Sequence, residues 1–220
     1  MKKYIKLLRI EQWIKNIFVF LPLFFSGSFL HLELFSVSLF AFFIFSFTAS
    51  CIYIINDYTD IEADKKHPEK RKRPLASGEI SKSTAKLVFA GLVFLVVSLT
   101  SLAGFLFSID LLYFSLVISA YFIMNIAYTF RLKHIAIVDI SIIALGFVFR
   151  VLAGGYITGI WISQWAILLT FLLALVLAIG KRRGELINSQ INGKTRKALD
   201  GQKKKLIILL EKLEKIEKIF

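Results

Sequence analysis

Cysteine and proline are scarce in this sequence of 220 residues, which contains one Cys and three Pro. The single cysteine, Cys51, excludes an intramolecular disulfide and a metal site built from several thiolates. Of the prolines, Pro22 interrupts the first apolar segment and should kink it. Pro68 and Pro74 instead bracket a short basic stretch, which indicates a structured loop.

Positive charge is absent from three connectors between apolar segments. Those near 27–33, 108–110 and 158–164 contain no Lys or Arg, although the chain has 28 such residues and a formal net charge of +13. The basic residues lie before residue 16, between Lys65 and Lys86, at Arg131 and Lys133, and from Lys181 onward, with Arg150 as the exception. This asymmetry predicts a multi-pass protein of the plasma membrane whose N-terminus and basic site loops face the cytoplasm. It argues against nucleic acid as a partner.

Apolar residues make up 57% of the chain, 22 of them Phe, and the mean hydropathy is +0.70. A soluble domain of this size has an apolar share of about 45–50%, so the chain belongs to the integral membrane class. A membrane span needs about 20 largely apolar residues in a helix. Six segments qualify, at about 14–30, 34–55, 87–107, 111–130, 135–157 and 161–179.

The character of the chain changes after the sixth segment. Residues from Lys181 to Lys205 are polar, and beyond them Leu206, Leu209 and Leu213 recur at helical spacing among Lys and Glu. This periodicity is typical of an amphipathic surface helix. The predicted fold is therefore an all-α integral membrane bundle of about six transmembrane helices plus a C-terminal amphipathic helix.

An acidic run follows the second apolar segment. It reads Asn56-Asp57-Tyr-Thr-Asp60-Ile-Glu-Ala-Asp64, and on a helix that continues past the bilayer edge Asp57, Asp60 and Asp64 would share one face. A lone Asp at this position would only solvate a helix end, but three clustered carboxylates repel one another unless a cation neutralises them. Hard oxygen ligands favour Mg²⁺, so we expect Asn56 and the three aspartates to bind Mg²⁺.

Seven basic or imidazole side chains come directly after the acidic run, between Lys65 and Arg73. Arg presents a planar fork that binds phosphate oxygens in pairs, and Lys presents a point charge. An acidic metal site beside such a basic pocket suits a Mg²⁺–diphosphate ligand. His67 has no second His nearby and is expected to be structural.

Polar residues inside later segments indicate a functional interior. Tyr121, Asn125 and Tyr128 share one stripe of the fourth segment, for which interfacial anchoring is the alternative. In the fifth segment Asp139 and Arg150 lie eleven residues apart, which places them on nearly the same face about 16 Å apart. Exposure of either charge to lipid is costly, so they predict an inward-facing polar strip. The alternative is a structural ion pair with a neighbouring helix.

The pattern Asn56-Asp57-x-x-Asp60-x-x-x-Asp64 at the end of a second membrane helix resembles the first aspartate motif of the UbiA-type membrane prenyltransferase superfamily. Further segments resemble its decaprenyl-phosphate phosphoribosyltransferase branch over about residues 8–200. These are Gln12-Trp13-x-Lys15-Asn16, His67-Pro68-x-Lys70-Arg71-x-Arg73-Pro74-x-Ala76-x-Gly78, Tyr128-x-x-x-Leu132-Lys133 with Asp139, Gly146-x-x-x-Arg150, and Lys181-Arg182-Arg183-x-Glu185.

This resemblance implies an activity and a set of site residues. Members of the branch join phosphoribosyl diphosphate to a polyprenyl phosphate lipid in cell-wall biosynthesis and release diphosphate. By position, Asn56, Asp57, Asp60 and Asp64 would hold Mg²⁺–diphosphate, and Asp139 would stand in the second acidic motif. Substrate contacts are expected from Lys15, Asn56, Lys70, Arg71, Arg73, Tyr128, Lys133, Arg150, Lys181, Arg182 and Arg183.

Two other functions stay open at this point. One is prenyl diphosphate-dependent transfer to an aromatic acceptor with the same metal site, and the other is an inactive, truncated family member. The superfamily core has nine membrane helices, whereas six are predicted here. We therefore expect residues 1–200 to form an incomplete UbiA-type domain and 201–220 a divergent amphipathic tail.

Overall fold

The computed structural model describes residues 2–132 and 135–191, without the side chains of 136 and 185–191. Every regular element in these ranges is helical, which confirms the all-α prediction. In chain order they are α1 (Lys2–Leu8), a 3₁₀ helix (Ile10–Phe20), α2 (Leu21–Phe25), α3 (Leu32–Thr59), α4 (Ile61–Lys65), a 3₁₀ turn (Lys70–Lys72), α5 (Lys82–Phe107), α6 (Leu112–Phe130), α7 (Ala136–Thr158) and α8 (Gln164–Ile191). The predicted tail, 201–220, lies outside the described residues.

Five of these helices, α3 and α5 to α8, are long and apolar enough to cross a membrane. They correspond to the last five predicted spans, so the protein is a multi-pass membrane protein. The first predicted span, 14–30, is not a single α-helix. It consists of the 3₁₀ helix followed by α2, and it ends at Ser26 before Gly27, whose φ is 72°.

Pro22 explains part of this difference. Proline has no amide hydrogen to donate to the carbonyl four residues earlier, and the N–H of Leu21 bonds the Phe18 carbonyl in the tighter 3₁₀ pattern. A 3₁₀ helix rises about 2.0 Å per residue, so its 11 residues extend roughly 22 Å, and α2 adds about 8 Å. Laid end to end the two elements would measure about 30 Å, and this segment is not among the five helices of the described residues that are long and apolar enough to cross a membrane.

Helices α3 and α7 form the centre of the bundle. Within their most apolar stretches 61% of α3 and 56% of α7 are buried, against 11% of α5, 28% of α6 and 17% of α8. The core includes Ile44 and Phe45 of α3, Phe114 of α6 and Ala153 of α7, all fully buried. The outer helices present their remaining apolar surface to lipid, and the central pair can carry polar side chains away from it.

The 3₁₀ helix lies directly against α7. A Cβ added to Gly154 would lie 1.9 Å from the carbonyl oxygen of Val19, so only glycine permits this approach of two backbones. The contact brings Asn16 on one element beside Arg150 on the other, which matters for the site described below.

The loop between α4 and α5 folds back onto the end of α3. Leu75 and Ile80 are buried with Leu7 and Ile54, and Ser81 caps α5 by accepting a hydrogen bond from the Thr84 N–H at 3.1 Å. The prediction of a structured loop is confirmed. It carries Arg73 towards the acidic residues that end α3.

Candidate functional site

The acidic run does not form one continuous helical face. Helix α3 ends at Thr59, and Asp60 adopts φ −97°, ψ 8° before α4 begins. The Thr59 hydroxyl donates to the Asn56 carbonyl at 3.0 Å, and such back-bonding bends a helix. The predicted continuous helix is therefore interrupted at Asp60, but Asp57 and Asp64 still lie on one side of the bend, where both accept a hydrogen bond from Arg73.

Arg73 forms hydrogen bonds with two of these aspartates. Its Nη1 donates to Asp57 Oδ1 at 3.1 Å and to Asp64 Oδ2 at 2.7 Å. Arg9 donates to the same oxygen of Asp57, so two guanidinium groups and two carboxylates form one cluster. Asp57 is 2% exposed and Asp64 is 3% exposed. The charges are thus largely removed from water, where their attraction is stronger than at a surface.

The donor set of this cluster fits Mg²⁺. Two carboxylate oxygens converge on a single cationic nitrogen, Arg73 Nη1, so the space between them suits a cation. Over the described residues no three His, Cys, Asp or Glu side chains form a metal-binding group. Mg²⁺ usually takes one or two protein carboxylates and completes its octahedron with substrate phosphates and water, and Asp57 and Asp64 supply two carboxylates here. Asn56 and Asp60, both half-buried, lie on the same bend.

Glu62, between Asp60 and Asp64, is outside this cluster. It is exposed, and Lys65 donates to its carboxylate at 2.9 Å. This hydrogen bond lowers the pKa of Glu62. Glu62 therefore supplies a matched control for the buried Asp57 and Asp64.

Some basic side chains of this loop face the acidic cluster, and others are exposed on the surface. Arg73 is 24% exposed and turned towards Asp57, whereas Lys70 and Arg71, in the 3₁₀ turn, are exposed. The prediction grouped all three with the substrate, and the structure brings only Arg73 into contact with the acidic residues. Lys133, also predicted to bind substrate, lies outside the described residues.

Asp139 belongs to a second cluster. Tyr128 of α6 donates to its Oδ1 at 2.7 Å, and Nη2 of Arg182 of α8 lies 2.7 Å from its Oδ2. The structure therefore groups Asp139 with Tyr128 and Arg182 rather than with the aspartates of α3 and α4. Lys181 and Arg183, on either side of Arg182, are exposed.

We expect Asp139 and Arg182 to be energetically coupled because the ion pair joins α7 to α8. In a double-mutant cycle of Asp139→Asn and Arg182→Gln, the coupling free energy should be about 0.5–3 kcal/mol. Thermal unfolding in detergent would measure it. Lys181→Gln in place of Arg182→Gln is the control, and an equal coupling with Lys181 would contradict the pairing.

Arg150 forms a third polar group inside the bundle. Its Nε donates to Asn16 Oδ1 at 2.8 Å and its Nη1 to the Gly146 carbonyl at 2.6 Å. Asn16 Nδ2 in turn donates to Ser46 Oγ at 2.8 Å. Asp139 and Arg150 are 7% and 5% exposed, so the inward-facing strip is confirmed. The alternative, a structural ion pair with a neighbouring helix, is found for Asp139, which pairs with Arg182 of α8, whereas Arg150 bonds Asn16 and the Gly146 carbonyl.

Further side chains connect these groups. Lys15, predicted to contact substrate, is exposed on the 3₁₀ helix beside the buried Asn16, and Tyr53 lies on α3 four residues before Asp57. The Arg9 guanidinium lies 4.7 Å from the centre of the Tyr53 ring. Arg9 thus contacts both Asp57 and Tyr53 of α3.

Sequence reasoning did not assign Arg9, Tyr53 or Asn16 to the site. Arg9 was counted among the basic residues that set topology, and an unusual backbone conformation, φ 51° and ψ 49°, turns it inward. Tyr53 precedes Asp57 by four residues, a helical spacing that places the two side chains on the same face of α3. Asn16 was noted only as part of the Gln12-Trp13-x-Lys15-Asn16 pattern, which was the one available signal.

The fold and the site define a multi-pass helical membrane protein with a buried ionic site at one end of the bundle and a polar interior beneath it. Residues 17–182 match the UbiA prenyltransferase family. The chain belongs to this family.

Curated relatives include three proteins named decaprenyl-phosphate phosphoribosyltransferase. Those of Corynebacterium glutamicum, Mycobacterium tuberculosis and Mycolicibacterium smegmatis are 36%, 37% and 39% identical to the chain, and each match covers 89% of it. The matches cover 58%, 64% and 61% of those relatives. The chain thus spans about three fifths of the length of these proteins.

Solved structures share the fold. A UbiA homolog from Archaeoglobus fulgidus bound to DMAPP and Mg²⁺ superposes with a TM-score of 0.71 at 21% identity, over 97% of this chain and 74% of that chain. A structure described as digeranylgeranylglyceryl phosphate synthase gives a TM-score of 0.64 at 24% identity, over 100% of this chain and 78% of that chain.

Proposed function

We propose that the protein transfers a 5-phosphoribosyl group from phosphoribosyl diphosphate to decaprenyl phosphate, or a related polyprenyl phosphate, and releases diphosphate. The names of the relatives support this substrate pair. The observation that carries the proposal is the convergence of Asp57 and Asp64 on Arg73 in a buried cluster, because a diphosphate leaving group needs both metal ligands and cationic partners.

In this proposal Asp57 and Asp64, with Asn56 and Asp60 beside them, hold Mg²⁺. When bound, the metal ion acts as a Lewis acid that stabilises negative charge on the departing diphosphate. Arg73 and Arg9 already lie at these carboxylates and place guanidinium groups where that charge develops. Preorganised cations in a site screened from water lower the barrier without reorganising during the reaction.

The transfer forms one bond and breaks one. An oxygen of the acceptor phosphate attacks the anomeric carbon, the bond from that carbon to diphosphate breaks, and the configuration inverts. The acceptor phosphate is ionised at neutral pH, so no strong general base is required. Asp139 would act by holding Tyr128 and Arg182 in place, and the exposed Lys70, Arg71, Lys181 and Arg183 would attract the anionic donor from the cytoplasm.

A second candidate function is prenyl diphosphate-dependent transfer to an aromatic acceptor. It is favoured by the A. fulgidus UbiA homolog, whose structures contain DMAPP or GPP together with Mg²⁺. The same acidic cluster would serve a prenyl diphosphate as its leaving-group site.

A labelling experiment separates the two functions. Membranes containing the protein, incubated with radiolabelled phosphoribosyl diphosphate, decaprenyl phosphate and Mg²⁺, should yield a labelled lipid, and EDTA should abolish it. Parallel membranes receive labelled geranyl diphosphate and 4-hydroxybenzoate. Prenylation of the aromatic acid without any phosphoribosyl lipid would reverse the assignment.

A further inference from the structure

A cavity opens at the end of the bundle opposite the acidic cluster. Its volume is about 690 Å³, and it lies among the starts of α3, α6 and α8 and the ends of α5 and α7. Glu33, which lines it, precedes Asp57 by 24 residues on α3, which corresponds to about 36 Å along a helix. The cavity is therefore separate from the proposed diphosphate site, and its volume falls in the range of about 300–1,000 Å³ that is usual for small-molecule sites.

Two close approaches shape this cavity. A Cβ added to Gly155 of α7 would overlap Ile162 in the connector to α8, and one added to Gly104 of α5 would overlap Leu111 at the start of α6. Each glycine therefore allows a neighbouring segment to pack directly onto a helix. The cavity is thus formed by the packing of the fold itself, before any ligand binds.

Negative charge lines the cavity. Glu33 and Asp110 are both among its lining residues and are exposed, and neither has an ion-pair partner within the described ranges. The three connectors at this end of the bundle contain no Lys or Arg and a single His, His31. A cationic ligand would therefore meet two carboxylates and little opposing charge.

A role at helix ends explains part of this pattern. Acidic side chains stabilise the N-terminus of a helix, and Glu33 lies in the first turn of α3. Asp110 accepts a hydrogen bond from the Leu112 N–H at 2.9 Å, which uses one of its two carboxylate oxygens. Because Asn caps a helix as well as Asp does, removing the charge of Asp110 separates capping from ligand binding.

Aromatic rings line the same cavity. Tyr113 at the start of α6 and Tyr156 near the end of α7 are stacked, with ring centres 5.5 Å apart and planes inclined by 20°. Trp161, in the connector between α7 and α8, is 87% exposed. A single Tyr or Trp at a membrane surface acts as an anchor. A stacked pair that shares a cavity with two carboxylates instead matches the chemistry that recognises an ammonium group.

We infer that this cavity binds the primary ammonium headgroup of a zwitterionic membrane phospholipid. The carboxylates of Glu33 and Asp110 accept hydrogen bonds from the ammonium group, and the negative faces of the rings of Tyr113 and Tyr156 attract it. The ligand is a lipid because the cavity lies at the ends of membrane-spanning helices, the level of the headgroups. Its apolar lining, which includes the buried Ile157, suits the beginning of an acyl chain.

Calorimetric titration of the full chain in a non-ionic detergent tests the inference. Dihexanoyl-phosphatidylethanolamine should bind, whereas dihexanoyl-phosphatidylglycerol, which has the same acyl chains but no ammonium group, should bind about tenfold more weakly or less. The double variant Glu33→Gln, Asp110→Asn should weaken binding of the first lipid about 5- to 20-fold, in line with the loss of two exposed ion pairs. Its melting temperature should be retained, because the helix cap is kept.

Glu79→Gln is the matched control, because Glu79 is exposed in the loop before α5, at the other end of that helix. It should change the affinity by less than about twofold. The aromatic contribution has its own pair of variants. Tyr156→Phe keeps the ring and should retain binding, whereas Tyr156→Leu should weaken it about 3- to 10-fold.

Four results would overturn the inference. They are no binding to the wild type, equal binding of the two lipids, binding that is unchanged in the double variant or in Tyr156→Leu, and an equal affinity for ethylammonium, which would assign the cavity to a free amine. These titrations contain neither phosphoribosyl diphosphate nor Mg²⁺. Transfer activity without lipid binding would therefore refute the lipid site alone, and lipid binding without transfer would refute the proposed function alone.

Discussion

Replacing Asp64 with Asn should lower the rate of phosphoribosyl transfer by about 100- to 1,000-fold, the size of effect seen when a preorganised electrostatic partner of a leaving group is lost. The Asp64 carboxylate is buried and lies 2.7 Å from Arg73. Without its charge, the site loses a proposed Mg²⁺ ligand and Arg73 loses one of its two partners. Asp57→Asn should have an effect at least as large, because Asp57 pairs with both Arg9 and Arg73.

The measurement is a Mg²⁺ titration of transfer activity in reconstituted membranes. Both variants should also need a higher Mg²⁺ concentration for half-maximal rate, which distinguishes a metal ligand from a purely structural residue. Glu62→Gln is the control, since that carboxylate is exposed and paired only with Lys65 among the ion pairs of the described residues. Equal losses in Asp64→Asn and Glu62→Gln would exclude a specific role for the buried cluster.

Gly154→Ala should destabilise the protein by about 3 kcal/mol or more, at the upper end of what overpacking costs. The new Cβ would lie 1.9 Å from the Val19 carbonyl oxygen and 2.9 Å from its carbon. Both contacts are with backbone, so no side chain can move aside. The 3₁₀ helix must then separate from α7, and the hydrogen bond from Arg150 to Asn16 spans the same interface.

Thermal unfolding in detergent micelles would show this loss as a lower melting temperature. Gly91→Ala in α5 is the matched control, because a Cβ there meets nothing within 4 Å. It should be neutral or stabilising by up to about 1 kcal/mol, since alanine favours helix more than glycine does. If both variants melt at the same temperature, the close approach of α7 and the 3₁₀ helix is not a determinant of stability.

Sequence periodicity and composition predicted the elements that depend on contiguous residues. Five predicted spans correspond to α3 and α5 to α8, although α8 continues to Ile191, twelve residues beyond the predicted end at 179. The structured loop around Pro68 and Pro74 was also predicted from local chemistry, and its Leu75 and Ile80 are buried with Ile54 at the end of α3. The exception was the first span. A single helical span was predicted there, and the structure has a 3₁₀ helix followed by the short helix α2.

The site was predicted as a set of residues but not as an arrangement. Helical spacing placed three aspartates on one face, whereas the helix ends before Asp60 and a residue of a later loop, Arg73, brings Asp57 and Asp64 together. No ion-pair partner was predicted for Asp139, and the structure pairs it with Arg182 of α8. Ionic partners depend on which helices touch, and helical spacing cannot give that information.

Taken alone, the sequence determined the membrane class, the positions of the spans, and the clustering of acidic side chains next to basic ones at one end of α3. Apolar stretches and helical spacing depend only on residues that are close in the sequence, so these features can be recognised without a structure. The tertiary structure decided that Arg9 and Asp57, 48 residues apart, form an ion pair and that Arg150 reaches Asn16 across 134 residues. Such contacts arise from the packing of one helix on another, and here a glycine at 154 and a left-handed turn at Arg9 make the required approaches possible.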